Sequence, residues 1–127
     1  MERRKRIFIS FAAEDAYARD FLVGQARNAD TPFDFIDMSV KEAFDERWKT
    51  QCRSKIRGCD GVLALLSPRT WRADGARWEM WCAFDERKPI LGVHVSKDNK
   101  GVIPPELQGK RVIEWTWDGI AQFVKSL

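Results

Sequence analysis

The sequence predicts a single α/β domain: five parallel strands in the order 2-1-3-4-5 with helices on both faces. Three observations carry that expectation. Short apolar runs alternate with stretches of helical periodicity along the chain, as a parallel sheet with crossover helices requires. One run, Val62-Leu63-Ala64-Leu65-Leu66, is apolar throughout, which fits a central parallel strand covered on both faces. A length of 127 residues fits one domain (1–127, with a basic flank over 1–6) and a proper hydrophobic core. Right-handed crossovers leave few windings for such an alternation, and the flavodoxin-like order suits five strands.

Each element follows from its own residues. Ile7-Phe8-Ile9 with Phe11 reads as a buried first strand. From Glu14 to Asn28 the apolar positions Ala18, Phe21, Leu22 and Ala26 recur at helical spacing. Pro32 introduces a second strand, Phe33–Ile36. Phe44 to Arg57 is a charged helix with Phe44, Trp48, Cys52 and Ile56 on its inward face, and Asp45 and Lys49 are spaced for an i,i+4 pair. Gly58-Cys59-Asp60-Gly61 breaks it before the central strand. A third helix spans about Gly75 to Arg87, and Ile90–Val95 is the fourth strand. The polar stretch from Lys97 to Pro105 is a loop. Val112–Trp115 forms a short fifth strand, and Ile120, Phe123, Val124 and Leu127 mark a last helix.

Composition narrows the function classes. Hydrophobic and charged contents of 44% and 32% describe an ordinary soluble domain, and neither a membrane-length apolar run nor a signal peptide is evident. A cytoplasmic location is expected. The net charge of +3 resides in Glu2-Arg3-Arg4-Lys5-Arg6, and the remainder is balanced. No basic stripe marks a nucleic-acid surface. Cys52, Cys59 and Cys82 have no CxxC spacing and read as free buried thiols. With the single His94 they are too few and too scattered for a zinc site, so no metal is expected. His94, within an apparent strand, reads as a satisfied structural histidine.

In a doubly wound sheet, ligands bind beyond the carboxyl ends of the strands where the winding reverses. That crevice lies here between strands one and three. Its mouth is formed by Ser10-Phe11-Ala12-Ala13-Glu14-Asp15 and Ser67-Pro68-Arg69-Thr70-Trp71. Familiar occupants are excluded. The first loop lacks the glycines of a dinucleotide fingerprint, and no P-loop exists. A phospho-accepting aspartate is missing from the end of strand three, where Leu66-Ser67-Pro68 stands. One mid-strand histidine supports no nucleophilic triad.

Glu79 is the residue of most interest. In Arg77-Trp78-Glu79-Met80-Trp81-Cys82-Ala83-Phe84 it is the only acid among six apolar side chains, so its charge is costly unless satisfied. Such carboxylates concentrate at sites of chemistry. The plainer alternative places it in the first turn of a helix, where the macrodipole favours an acid.

At this point the residues resemble a family. Arg6-Ile7-Phe8-Ile9-Ser10-Phe11 is similar to the first strand of TIR and TIR-like domains, and Leu65-Leu66-Ser67-Pro68 to the end of their third. Ala76-Arg77-Trp78-Glu79-Met80 followed by Lys88-Pro89-Ile90-Leu91-Gly92-Val93 resembles their glutamate-bearing helix and fourth strand. The spacing resembles the bacterial subgroup that includes Thoeris anti-phage signalling proteins, over residues 5–95. The resemblance implies cleavage of the nicotinamide–ribose bond of NAD, taken as substrate with no cofactor. It further implies a cyclic ADP-ribose-type product that reaches a separate effector. Glu79 would be the catalytic residue. One common form of the family has a tryptophan four residues earlier; Gly75 stands there, with Trp78 or Trp71 as candidates to fill its space.

The other site candidates each carry two readings. Phe11 is pocket wall or core. Ser10 bonds a diphosphate or caps the helix from Glu14, the cap being the simpler. Asp37 and Ser39 contact a ribose or serve a turn. Trp48 stacks on a base or belongs to the core, which its helical spacing favours. Trp71, in a polar loop, is expected to contact something. Trp78 and Trp81 are assigned to a core-facing helix. The competing function is a non-enzymatic adaptor that acts by self-association, with Glu79 merely structural.

Overall fold

The run expected at the centre of the sheet is buried at every residue. The computed structural model describes residues 4–28, 33–38 and 45–127. In it β1 (Lys5–Ser10), β2 (Phe33–Ile36), β3 (Gly61–Leu66), β4 (Ile90–His94) and β5 (Val112–Glu114) form one sheet in the order β2-β1-β3-β4-β5. Every pairing is parallel, with Phe8 opposite Val62 and Ser10 opposite Ala64. The helices are α1 (Ala16–Asn28), α2 (Glu46–Arg57), α3 (Asp74–Asp85) and α4 (Trp117–Lys125).

Strand parity divides the core, because successive side chains point to opposite faces. Ile7, Ile9, Leu63, Leu65, Leu91 and Val93 pack against α1 and α4 through Ala18, Leu22, Ile120 and Val124. Phe8 and Val62 meet Trp48, Cys52 and Ile56 of α2 on the other face. Beside them Ala64 and Leu66 meet Ala76 and Met80 of α3. Each large side chain so buried contributes roughly 1.5–3 kcal/mol of transfer free energy. Ser10 has the parity of Phe8, so the end of β1 presents a hydroxyl to the face covered by α2 and α3.

Several local expectations are corrected. Glu14 does not open α1: residues Ala13–Asp15 form a 3₁₀ turn with no side-chain cap, and α1 starts at Ala16. Asp45 is the N-cap of α2, accepting from the Trp48 amide at 2.9 Å, instead of pairing with Lys49. The Lys49 ammonium lies 3.5 Å from Glu46. An acid at that position satisfies an orphan helix N–H, which an exposed ion pair cannot do. Phe21, at apolar helical spacing, and Trp81, on the core-facing helix, are nevertheless 60% and 42% exposed. Phe44 lies outside the described residues. All three cysteines are free and buried.

Gly101 draws the loop after β4 onto the crevice. Its φ is +76°, and a Cβ there would stand 2.6 Å from the Pro68 Cα. Only glycine combines that conformation with that approach. No helix among the described residues is long and apolar enough to cross a membrane.

Candidate functional site

Glu79 is the sixth residue of α3, a full turn beyond the first, so the macrodipole does not account for it; Asp74 is the acid of the first turn. Only 5% of Glu79 is exposed. The end of β1 supplies its partner: Ser10, fully buried, lies with Oγ 2.8 Å from Glu79 Oε1 and 3.1 Å from the Ala76 carbonyl oxygen. From α2, Cys52 Sγ lies 4.0 Å from Oε2. Burial pushes the Glu79 carboxyl up to about 8; the Ser10 hydrogen bond opposes this, and the negative charge of Asp37 adds to it. The acid is therefore mostly neutral at pH 7 in the free protein. Burial, with Glu79 as a second cause, also drives the Cys52 thiol far above its ordinary range, so this sulfur is no nucleophile.

The sequence-derived candidates divide over this frame. Asp37, just past β2, is near enough to act on Glu79, and its carboxylate accepts from Arg19 Nε at 2.5 Å. Its carbonyl accepts from Lys55 Nζ at 3.2 Å, which ties the segment after β2 to α2. Ser39 lies outside the described residues. Ser10 faces α3, so it does not cap the helix that follows it. Phe11 packs with the cluster of Ile7 and Ile9, on the α1 face, while Ser10 and Glu79 occupy the other.

Trp48 is buried, and its six-membered ring lies 3.7 Å from the position a Cβ on Gly75 would take. The space above Gly75 is thus filled from α2, in place of Trp78 or Trp71. Trp78 meets Trp48 edge-on at 5.8 Å. Trp71 is 44% exposed and does contact a group: the Arg77 guanidinium stands 5.0 Å from its ring centroid. Glu106 also holds that guanidinium, at 3.0 Å. His94 is buried but not satisfied, since its Nδ1 has no hydrogen-bond partner among the described residues. Burial lowers its pKa, so the ring is neutral.

Two residues of the site carry no mark in the sequence. Cys52, spaced as a core residue, forms part of the wall around Glu79. Asp15 stands in the sequence as one of two adjacent loop acids. It is fully buried, accepts from Ser67 Oγ at 2.5 Å and from Arg69 at 3.1 Å, and so clasps the loops after β1 and β3 together. Ser67 is itself fixed by Thr70, whose Oγ1 accepts from the Ser67 amide at 2.9 Å. The one available signal was the place of Asp15 in the loop at the switch point.

Chemically, the arrangement is a desolvated carboxyl at the carboxyl end of β1, with no lysine or arginine paired to it among the described residues. Ionised, it would stabilise a cation brought beside it. Among the described residues no group of three His, Cys, Asp or Glu side chains is placed to hold a metal ion.

The sequence matches the family model described as the Thoeris protein ThsB TIR-like domain over residues 8–100. No curated protein matches it. Among solved structures, it is similar to the TIR domain of the Toll-related receptor TRR-2 from Hydra magnipapillata, with a TM-score of 0.72 at 12% identity. That match covers 94% of this chain and 97% of the other. It is also similar to diflavin flavoprotein A3 from Nostoc sp., with a TM-score of 0.54, 13% identity and coverage of 98% and 88%. At such identities the two structures establish the fold alone.

Proposed function

The chain belongs to the Thoeris ThsB TIR-like domain family, a family of anti-phage defence, and from that premise we propose that it cleaves the nicotinamide–ribose bond of NAD. The observation that carries the reading is Glu79: a buried carboxyl at the switch-point face with a hydroxyl partner and, among the described residues, no cation of its own. A nicotinamide ring in NAD is already positively charged and departs neutral, so no acid is needed to protonate it. The charge that develops is an oxocarbenium ion on the ribose, as in glycoside hydrolysis. A fixed carboxylate beside that sugar lowers the cost of forming it. Glu79, mostly neutral in the free protein, would ionise as the cationic nicotinamide ring of the substrate comes beside it, because an opposite charge within a few ångströms favours the carboxylate, and its proton is lost to solvent. The departing bond leaves its electron pair on nicotinamide. The sugar cation is then taken by water, giving ADP-ribose and a proton, or by a nucleophile of the same molecule, giving a cyclic product for a separate effector.

Incubation with NAD, alone and with lysate of phage-infected cells as the trigger, followed by mass spectrometry, tests this. Release of nicotinamide is expected, reduced roughly 10²–10³-fold by Glu79→Gln, the range seen when one preorganised stabilising group is removed. Equal product formation by wild type and Glu79→Gln would refute the assignment. A second reading, an adaptor that binds a further copy of itself, is favoured by the exposed aromatics. Trp81 and Phe84 flank an apolar groove of about 220 Å³ beside Pro105 and Lys110. Absence of NAD loss under every trigger, together with concentration-dependent dimers in light scattering, would favour that reading.

A further inference from the structure

We infer that Ser10 is a positioning residue, which anchors the Glu79 carboxyl to the Ala76 carbonyl and redirects its single hydroxyl proton as Glu79 changes charge. The inference rests on the proposed role of Glu79, but its test does not.

A serine hydroxyl has one proton and two lone pairs. Ser10 Oγ nevertheless has two oxygen neighbours within hydrogen-bond distance, Ala76 O at 3.1 Å and Glu79 Oε1 at 2.8 Å. It cannot donate to both. With Glu79 neutral, both contacts are satisfied: the Glu79 acid proton goes to Ser10 Oγ, and the Ser10 proton goes to Ala76 O. With Glu79 ionised, the Ser10 proton turns to the carboxylate. The Ala76 carbonyl then keeps its place in the hydrogen-bond ladder of α3, where the amide of Met80 lies four residues on. Only protons move; no heavy atom must repack. A buried acid can thus change charge inside a close-packed core at little structural cost.

The groups that face Glu79 among the described residues are few. Ser10 comes from β1, Cys52 from α2 and Asp37 from the segment after β2. Asp37 is matched by Arg19 of α1, so its charge is partly cancelled. Cys52 stays a neutral thiol. Among the described residues Ser10 is therefore the one hydroxyl placed to follow the carboxyl through its titration, Cys52 adding only a weak thiol donor at 4.0 Å from Oε2, and the proton lost by Glu79 goes to solvent. Its own full burial keeps it from serving a diphosphate.

The test is a ¹³C NMR titration of the Glu79 side-chain carboxyl, assigned by its loss in Glu79→Gln, in the wild type, Ser10→Ala and Ser10→Cys. Ser10 bonds Glu79 in both charge states, and only the excess of the bond to the carboxylate over the bond to the neutral acid moves the titration, so Ser10→Ala should raise the midpoint by about 0.5–1 pH unit. At neutral pH the ionised fraction then falls roughly three- to tenfold. Ser10→Cys keeps nearly the same volume with a weak donor, so it should restore the melting temperature while keeping most of the shift; it carries the test alone where Ser10→Ala does not fold. A midpoint unmoved in both variants, with only the melting temperature changed, would overturn the inference and leave Ser10 a packing residue. Where the wild type consumes NAD, the acid limb of kcat/KM should move with the carboxyl. A shifted midpoint in a protein that never consumes NAD sustains the role of Ser10 and defeats the proposed reaction instead.

Discussion

The indole of Trp48 lies over Gly75, its ring carbons 3.7 Å from where a Cβ on that glycine would stand. The two residues come from different helices, α2 and α3, and Gly75 is four residues before Glu79. A tryptophan at the glycine position, as in the common family form, would need the volume that Trp48 holds. Gly75→Trp should therefore destabilise the protein by about 1–3 kcal/mol, the range for overpacking a core. Trp48→Ala alone should cost about 3–5 kcal/mol through the cavity it leaves. In the double variant the new indole should occupy part of that cavity, so the two losses should fall short of their sum. Urea denaturation of the four proteins checks this; strict additivity would show that the rings do not share a site.

Gly75→Ala is the gentler test of the same geometry. Its Cβ meets Trp48 at an ordinary van der Waals distance, and helical alanine is favoured over glycine by about 0.5–1 kcal/mol. A higher urea midpoint with unchanged slope is expected.

The Glu79 carboxyl makes stability depend on pH in a definite direction. Its folded-state pKa is raised, to about 8 from an ordinary value of 4.5, so the folded protein binds the proton more tightly than the unfolded chain. The stabilisation is fully present below pH 4.5 and drains away as pH rises to about 8, on the order of a few kcal/mol in all. Glu79→Gln cannot ionise and should lose this slope. Parallel pH dependence of the melting temperature in both proteins over that window would mean that Glu79 does not titrate there.

The strand order and the buried central strand were legible because parallel sheets demand apolar runs, a signal written in consecutive residues. The isolation of Glu79 was legible for the same reason, as an acid within an apolar stretch of helix. What surrounds it was not. Ser10, Cys52 and Asp37 come from three different elements, and only the sheet brings them to one carboxyl. Asp15 could not be told from Glu14 by residue type. A 3₁₀ turn rather than an immediate helix swings Asp15 inward and leaves Glu14 in solvent. Phe21 and Trp81 failed for a related reason: apolar spacing marks the stripe of a helix, while its width depends on what the neighbours cover.

His94 offers a contrast of sign. Its folded-state pKa is lowered from 6.5 by burial, so protonation opposes folding, and stability present above that pH is lost as pH falls. Its Nδ1 gains nothing in return, having no hydrogen-bond partner among the described residues. His94→Leu should therefore hold or raise the melting temperature at pH 7 and reduce the loss on the acid side. A drop of several degrees at neutral pH would mean that the imidazole does structural work.

The clasp between the two loops of the switch point gives the last expectation. Asp15 has no exposed surface, and its carboxylate takes one hydrogen bond from Ser67 Oγ and one from Arg69. Asp15→Ala removes both acceptors. Arg69, largely solvated, can turn to water, but the Ser67 hydroxyl is buried and would be left without its acceptor. An orphaned buried group costs about 1–3 kcal/mol, so the melting temperature should fall by several degrees. Ser67→Ala removes the donor as well, and the double variant should be less harmed than the two single losses added together. Hydrogen exchange distinguishes a local clasp from a general support. The amides of Arg69 and Thr70, which are bonded within this loop, should lose protection in Asp15→Ala while those of β3 keep it. Equal loss in both places would assign Asp15 to the core as a whole and not to the mouth of the crevice.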